Sequence, residues 1–114
     1  MSSDPGLTIT TFQKIIEDTY GAKDAARGLG GTFMWFTEEV GELARALKRR
    51  EPDRANLIEE FSDVLAWLCT LASIAGIDME EAARRYAAGC PRCSRIPCAC
   101  GERTRFQELP PAAE

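Results

Sequence analysis

A chain of 114 residues, 45% of them hydrophobic, has room for one modest core and not for two full domains. Eighteen acidic residues against fourteen basic ones leave a net charge of -4, which excludes a surface built to track a nucleic-acid polymer. The polar start from Met1 to Leu7 lacks the basic-then-apolar build of a secretory signal, and no apolar run has the length of a membrane span, so a cytoplasmic protein without a membrane partner is expected.

Thr8 is placed to cap a first helix running to about Tyr20, with Ile9, Phe12, Ile15 and Ile16 at helical spacing. Gly28, Gly30 and Gly31 then break the chain, and Thr32 is placed to cap a second helix. The apolar positions of that helix, Phe33, Phe36, Val40, Leu43 and Leu47, alternate steps of three and four until Pro52 stops it. Asp53 can cap a third helix, where Leu57, Phe61, Val64, Leu68, Leu71 and Ala75 keep the same rhythm as far as Gly76. Asp78-Met79-Glu80-Glu81 has the pattern of a capping box and opens a short fourth helix that ends by Gly89.

No segment alternates apolar and polar residues as a half-buried strand does, so the expected class is all-α. The expected architecture is a compact four-helix domain over 1–89, built on an antiparallel hairpin of the second and third helices. An irregular Cys-rich segment over 90–114 follows, with a flexible end from Leu109 to Glu114.

The second helix carries Glu38-Glu39-Val40-Gly41-Glu42, and the third carries Glu59-Glu60-Phe61-Ser62-Asp63. At about 100° per residue, Glu39 and Glu42 flank one edge of the second helix as Glu60 and Asp63 flank the same edge of the third. Two such edges can face each other across the hairpin. Carboxylates gathered there repel one another and are pushed towards protonation unless a cation neutralises them. All-oxygen donors favour hard ions, Mg²⁺ or Mn²⁺, and octahedral Mg²⁺ keeps positions open for water and phosphate. The plainer alternative is a solvated acidic face, since most helical Glu simply sit in water. A di-iron or di-manganese bundle is disfavoured, because those sites use Glu-x-x-His pairs and this chain has no His.

Glu38-Glu39-x-x-Glu42, followed after seventeen residues by Glu60-x-x-Asp63, resembles the signature of the MazG-like nucleoside triphosphate pyrophosphohydrolases. The likeness covers about Phe12 to Ala88, and takes in Thr32-Phe33-Met34-Trp35 ahead of the motif and Gly76-Ile77-Asp78-Met79-Glu80-Glu81 behind it. It implies that Glu39, Glu42, Glu60 and Asp63 ligate Mg²⁺, while Glu38 binds a further metal or orients and deprotonates the attacking water. The implied reaction splits a nucleoside triphosphate into monophosphate and pyrophosphate, in the housecleaning of nucleotide pools, and the implied assembly is a homo-dimer or homo-tetramer. Many members of that family contact phosphate through a Lys and an Asn in and just after the fourth helix, where this chain has Arg84, Arg85 and Tyr86. Arg84 and Arg85 are candidates for that task, or are favourable partners of the helix dipole. Trp35, one turn before Glu39, and Trp67, one turn after Asp63, lie on the acid-bearing edge. Either could stack on a nucleobase or be a core or interface aromatic.

Cys69 stands in an apolar helical stretch and reads as an inert core residue. The other four cysteines crowd into Cys90-Pro91-Arg92-Cys93 and Cys98-Ala99-Cys100. In a reducing compartment that spacing suggests a structural Zn²⁺ more than disulfides or a redox-sensitive tail, although C-x-C is a tighter bite than most zinc sites use. From a different functional class, the chain could be a non-catalytic helical interaction module with a zinc-stapled tail.

Overall fold

The computed structural model of the chain describes residues 6–101, so the expected flexible end from Leu109 to Glu114 lies outside the described residues. Among those described there are helices and turns but no strand: α1 (Ile9–Leu47), α2 (Arg54–Ile74) and α3 (Met79–Arg84). None of these helices is long and apolar enough to cross a membrane. The chain forms two compact units, one ending at Ala83 and the other beginning at Arg84.

The all-α class stands with three helices counted and not four: the expected first and second helices are the two segments of α1, which runs through a break at Gly28. Thr8 does cap it: the backbone N–H of Thr11 donates to the Thr8 hydroxyl at 3.0 Å, and the Thr8 N–H donates to Thr11 Oγ1 at 2.9 Å. Of the three glycines expected to break the chain, only Gly28 leaves helical geometry, at φ 81° and ψ 175°. Gly30 and Gly31 stay helical, which costs about 1 kcal/mol each relative to Ala and is offset by tertiary packing. Thr32 is therefore inside the helix and no cap. Its side chain is fully buried, and its hydroxyl donates to the Gly28 carbonyl at 2.7 Å.

Only glycine readily adopts the Gly28 conformation, and a Cβ there would meet no atom within 4 Å, so the restriction is one of backbone and not of space. Gly28→Ala is expected to cost about 1–3 kcal/mol. Gly30→Ala, at a helical position with equally open space, should gain up to about 1 kcal/mol. Chemical denaturation of the two variants checks this; equal responses would refute a break set by Gly28.

Asp53 caps α2 through its carboxylate, which accepts from the N–H groups of Ala55 at 3.0 Å and Asn56 at 3.3 Å. The other end closes at Gly76, whose φ of 74° lets Ile77 N–H reach the Ala72 carbonyl and Gly76 N–H the Ser73 carbonyl. Asp78 then accepts from Glu80 N–H at 2.9 Å and starts α3, which lasts only six residues where the expected fourth helix ran on to Gly89.

α1 and α2 pack antiparallel in the first unit. Gln13 bonds Ser73 Oγ and the Ile77 carbonyl, Asp24 accepts from Thr70, and the Trp35 ring stacks on Trp67. From Asp24 to Trp35 a straight helix would climb about 17 Å, whereas Thr70 and Trp67 are about 4.5 Å apart along α2. The break at Gly28 therefore redirects the chain, so that segments before and after it both flank α2 between Asp63 and Thr70.

What lies buried between the helices is small or polar: Ala46, Cys69, Ala72, Thr32 and Thr70, with Ile16, Gln13 and Asp24 from the first part of α1. The expected stripe of large apolar side chains is covered only in part: Phe36, Leu43, Leu57, Val64 and Leu71 are half-buried. Phe33 is 53% exposed and Phe61 54%, and Val40, Leu47 and Leu68 are exposed as well. Close packing of two helices admits small side chains at the seam, and the bulkier ones fall to its flanks.

Candidate active site

Trp35 on Trp67 and Glu39 beside Asp63 follow one antiparallel register, which carries the acids of α1 and α2 to the same level. There Glu39, Glu60 and Asp63 each present a carboxylate oxygen, and these lie within 4.8 Å of one another. Glu39 and Glu60 are partly buried, and Asp63 is exposed. Burial pushes the Glu39 carboxyl above its ordinary range, and the negative charges of Asp63, Glu42, Glu60 and Glu38 push it further. The arrangement is thus short of positive charge at its centre. Hard carboxylate oxygens in a strained cluster are the donor set that Mg²⁺ or Mn²⁺ would relieve.

Glu42 belongs to the same electrostatic neighbourhood, but its side chain turns to Arg45 at 3.1 Å and its oxygens are not among the converging three. That ion pair is exposed and worth only a few tenths of a kcal/mol, so it holds Glu42 loosely. Glu38 is exposed, and its charge is felt at Glu39. Asn56, one turn before Glu60, brings its amide to 3.5 Å from Glu60 Oε2, a long contact that sequence reading did not anticipate.

A cleft of about 320 Å³ opens beside Asp63, lined by Tyr20, Lys23, Asp24, Arg27 and Trp67 among others. Sequence reading missed this group, although Asp24 and Arg27 stand three apart on a helix and could have been read as an ion pair. Arg27 bonds Asp24 Oδ1 at 2.8 Å and lies 4.8 Å above the centre of the Trp67 ring. Trp67 also stacks on Trp35, with ring centres 6.0 Å apart and planes 10° from parallel. Trp67 is therefore engaged on its ring by two neighbours, while Trp35 keeps 49% of its surface exposed.

Arg84 and Arg85 belong to the second unit, where Arg85 lies against the Tyr86 ring and donates to its hydroxyl at 3.2 Å. In that unit the sulfurs of Cys90, Cys93, Cys98 and Cys100 also lie within 4.8 Å of one another, a group that could hold a metal ion. Backbone N–H groups of Cys93 and then Arg92 hold the Cys90 thiol down to about 6, while hydrogen bonding to Cys98 above all pushes Cys100 up to about 12. Crowded thiols share protons in this way when no cation takes their place. Cys69 is buried in the first unit, and burial raises its thiol, as suits an inert core residue.

The hairpin gathers carboxylates from two antiparallel helices around an uncompensated centre, a group that could hold a metal ion. The model of the MazG nucleotide pyrophosphohydrolase domain matches residues 30–92, more than half of the chain's length, and the chain belongs to that family. It matches no curated protein.

Proposed function

We propose that the protein hydrolyses a nucleoside triphosphate, ribo or deoxy, to the monophosphate and pyrophosphate, as an Mg²⁺- or Mn²⁺-dependent housecleaning enzyme of the nucleotide pool. The observation that carries this reading is the convergence of Glu39, Glu60 and Asp63 in a chain of nucleotide pyrophosphohydrolase family. Glu39, Glu60 and Asp63 would hold the metal, with Glu42 recruited from its loose pair with Arg45. Bound metal supplies charge neutralisation at the phosphate oxygens and a more acidic water. Glu38, exposed beside the cluster, is the group proposed to accept a proton from that water at its carboxylate.

Lys23 and Arg27, which line the same cleft as Asp63, are the basic side chains of the first unit proposed for the phosphates. Arg84 and Arg85 stay proposed phosphate-binding residues on their charge alone. Of the two tryptophans, Trp35 has the freer ring for a nucleobase, and Trp67 with Arg27 behind it serves as its support. The exposed Phe33, Val40, Phe61 and Leu65 support assembly as a homo-dimer or homo-tetramer, because a single copy leaves these large apolar side chains in water.

Purified protein is expected to release pyrophosphate from at least one triphosphate in a screen of canonical and modified NTPs and dNTPs, and only with Mg²⁺ or Mn²⁺ present. Orthophosphate as the sole product, or full activity in excess chelator, rejects the assignment. Metal-dependent binding of a non-hydrolysable triphosphate with no turnover of any NTP would leave a binding module instead.

A further inference from the structure

We propose that Cys90, Cys93, Cys98 and Cys100 form one closed zinc site, and that residues 89–101 owe their fold to it. This goes beyond the hydrolase reading and does not depend on it. Thiolates placed tetrahedrally at 2.3 Å from zinc stand about 3.8 Å apart. The sulfurs of Cys90 and Cys100 are 3.9 Å apart, and all four lie within 4.8 Å of one another.

The backbone around them is shaped to aim sulfur inward. Ser94 N–H reaches the Cys90 carbonyl at 2.7 Å, and Cys90 N–H returns to the Arg95 carbonyl at 3.1 Å, which closes a tight turn over Cys90 to Arg95. Ser94 takes a left-handed φ of 58° to make that turn. Gly89, at φ 100°, leads into it, and a Cβ there would stand 2.6 Å from the Arg95 carbonyl oxygen, so no other residue fits. Three backbone N–H groups then point at sulfur: Arg92 at Cys90 Sγ (3.4 Å), Ala99 at Cys93 Sγ (3.4 Å) and Cys100 at Cys98 Sγ (3.3 Å). These contacts fix the three sulfurs in place, and one of them closes the Cys98–Cys100 turn, which answers the doubt raised by the tight C-x-C bite.

A second, independent observation points the same way. No described residue from Arg84 to Gly101 is buried, so the segment has no apolar core to hold these turns. A structural metal is the usual substitute in pieces of this size. Zinc is favoured over iron because Cys98 is exposed and zinc has no redox chemistry with which to expose its thiolates to oxidation. Arg92 and Arg95 in the intervening turn offset the doubly negative four-thiolate centre.

The test uses the full chain, reduced and freed of metal with a chelator, then titrated with Zn²⁺ or with Co²⁺ as a spectroscopic stand-in. The expected result is about one tightly held zinc per chain, an intense cobalt-thiolate absorption band, and new hydrogen-exchange protection at the amides of Arg92, Ala99 and Cys100. Cys93→Ser should lose the cobalt band while its helical circular dichroism, which comes from the first unit, is unchanged. Glu60→Gln should keep the band, which separates this site from the carboxylates. The proposal is overturned by reduced protein that takes up no zinc, by a red iron-loaded protein, or by a cobalt band that survives Cys93→Ser. Zinc uptake without any gain in amide protection overturns its second half, that the metal makes the fold.

Discussion

Asp63→Asn is expected to lower pyrophosphate release by at least ~100-fold, since loss of a metal ligand forfeits several kcal/mol of charge stabilisation and each tenfold in rate is about 1.4 kcal/mol. The helical fold should survive, and in metal-free solution the variant should melt above the wild type. Asp63 is the largest of the neighbouring charges that press on Glu39, and its removal relieves them. The sign of the pH dependence follows from the same group. Glu39 has a folded pKa above its ordinary 4.5, so the folded state favours the protonated carboxyl. The stabilisation from that proton is complete below 4.5 and is lost as pH rises through the elevated value. Metal-free wild type should thus lose stability at this site as pH rises above 4.5, Asp63→Asn should lose less, and added Mg²⁺ should restore what is lost. Melting curves across pH, with and without Mg²⁺, together with a pyrophosphate assay, check the whole chain of reasoning. Wild-type turnover in the variant would reduce the cluster to a solvated acidic face.

The largest expected effect on stability lies at Asp24. Its side chain is 10% exposed, bonded to Arg27 at 2.8 Å and approached by the Thr70 hydroxyl at 3.3 Å, so it ties the first part of α1 both to its own next turn and to α2. Asp24→Ala leaves a largely buried guanidinium without its counter-charge, a change that costs about 3 kcal/mol. Thr70→Val should cost about 1 kcal/mol, because it removes one long hydrogen bond and leaves the ion pair whole. In a hairpin whose buried apolar residues are only Ile16, Ala46, Cys69 and Ala72, such losses form a large share of the total. Urea titration of both variants is the measurement, and a loss below about 0.5 kcal/mol for Asp24→Ala would show the network to be incidental.

The grouping of Glu39, Glu60 and Asp63 was legible in the sequence because side-chain spacing on a helix is local. Glu60 and Asp63 share a face whatever the rest of the chain does, and Asp53 and Gly76 fix where α2 starts and stops. Glu39 could be matched to them because the link around Pro52 is too short for anything but an antiparallel return. What was not legible is tertiary. Helical periodicity puts Phe33, Val40 and Phe61 on common faces, but it cannot tell whether the same chain covers them, and here it does not. The buried Asp24–Arg27–Thr70 group escaped notice because two of its members lie on one helix and the third is 46 residues from Asp24. Thr32 misled for a chemical reason: a hydroxyl that can cap a helix can also bond the carbonyl four residues back, and burial decided for the second.

The single non-helical residue within α1 also has a bearing on how this chain can diverge. In an unbroken helix an inserted residue rotates everything beyond it by about 100°, so a change near Tyr20 would swing Glu39 out of the cluster. Gly28 resets the angular phase, so the helix that follows begins its count afresh whatever precedes it, while Gln13 and Asp24 keep the register of the first part against α2. The family match starts at Gly30, just past this reset. Tyr20, Lys23 and Arg27, which shape the cleft beside Asp63, stand upstream of it. On the proposed function, residues upstream of Gly28 that line the cleft can thus be exchanged without rotating Glu39 out of the carboxylate cluster.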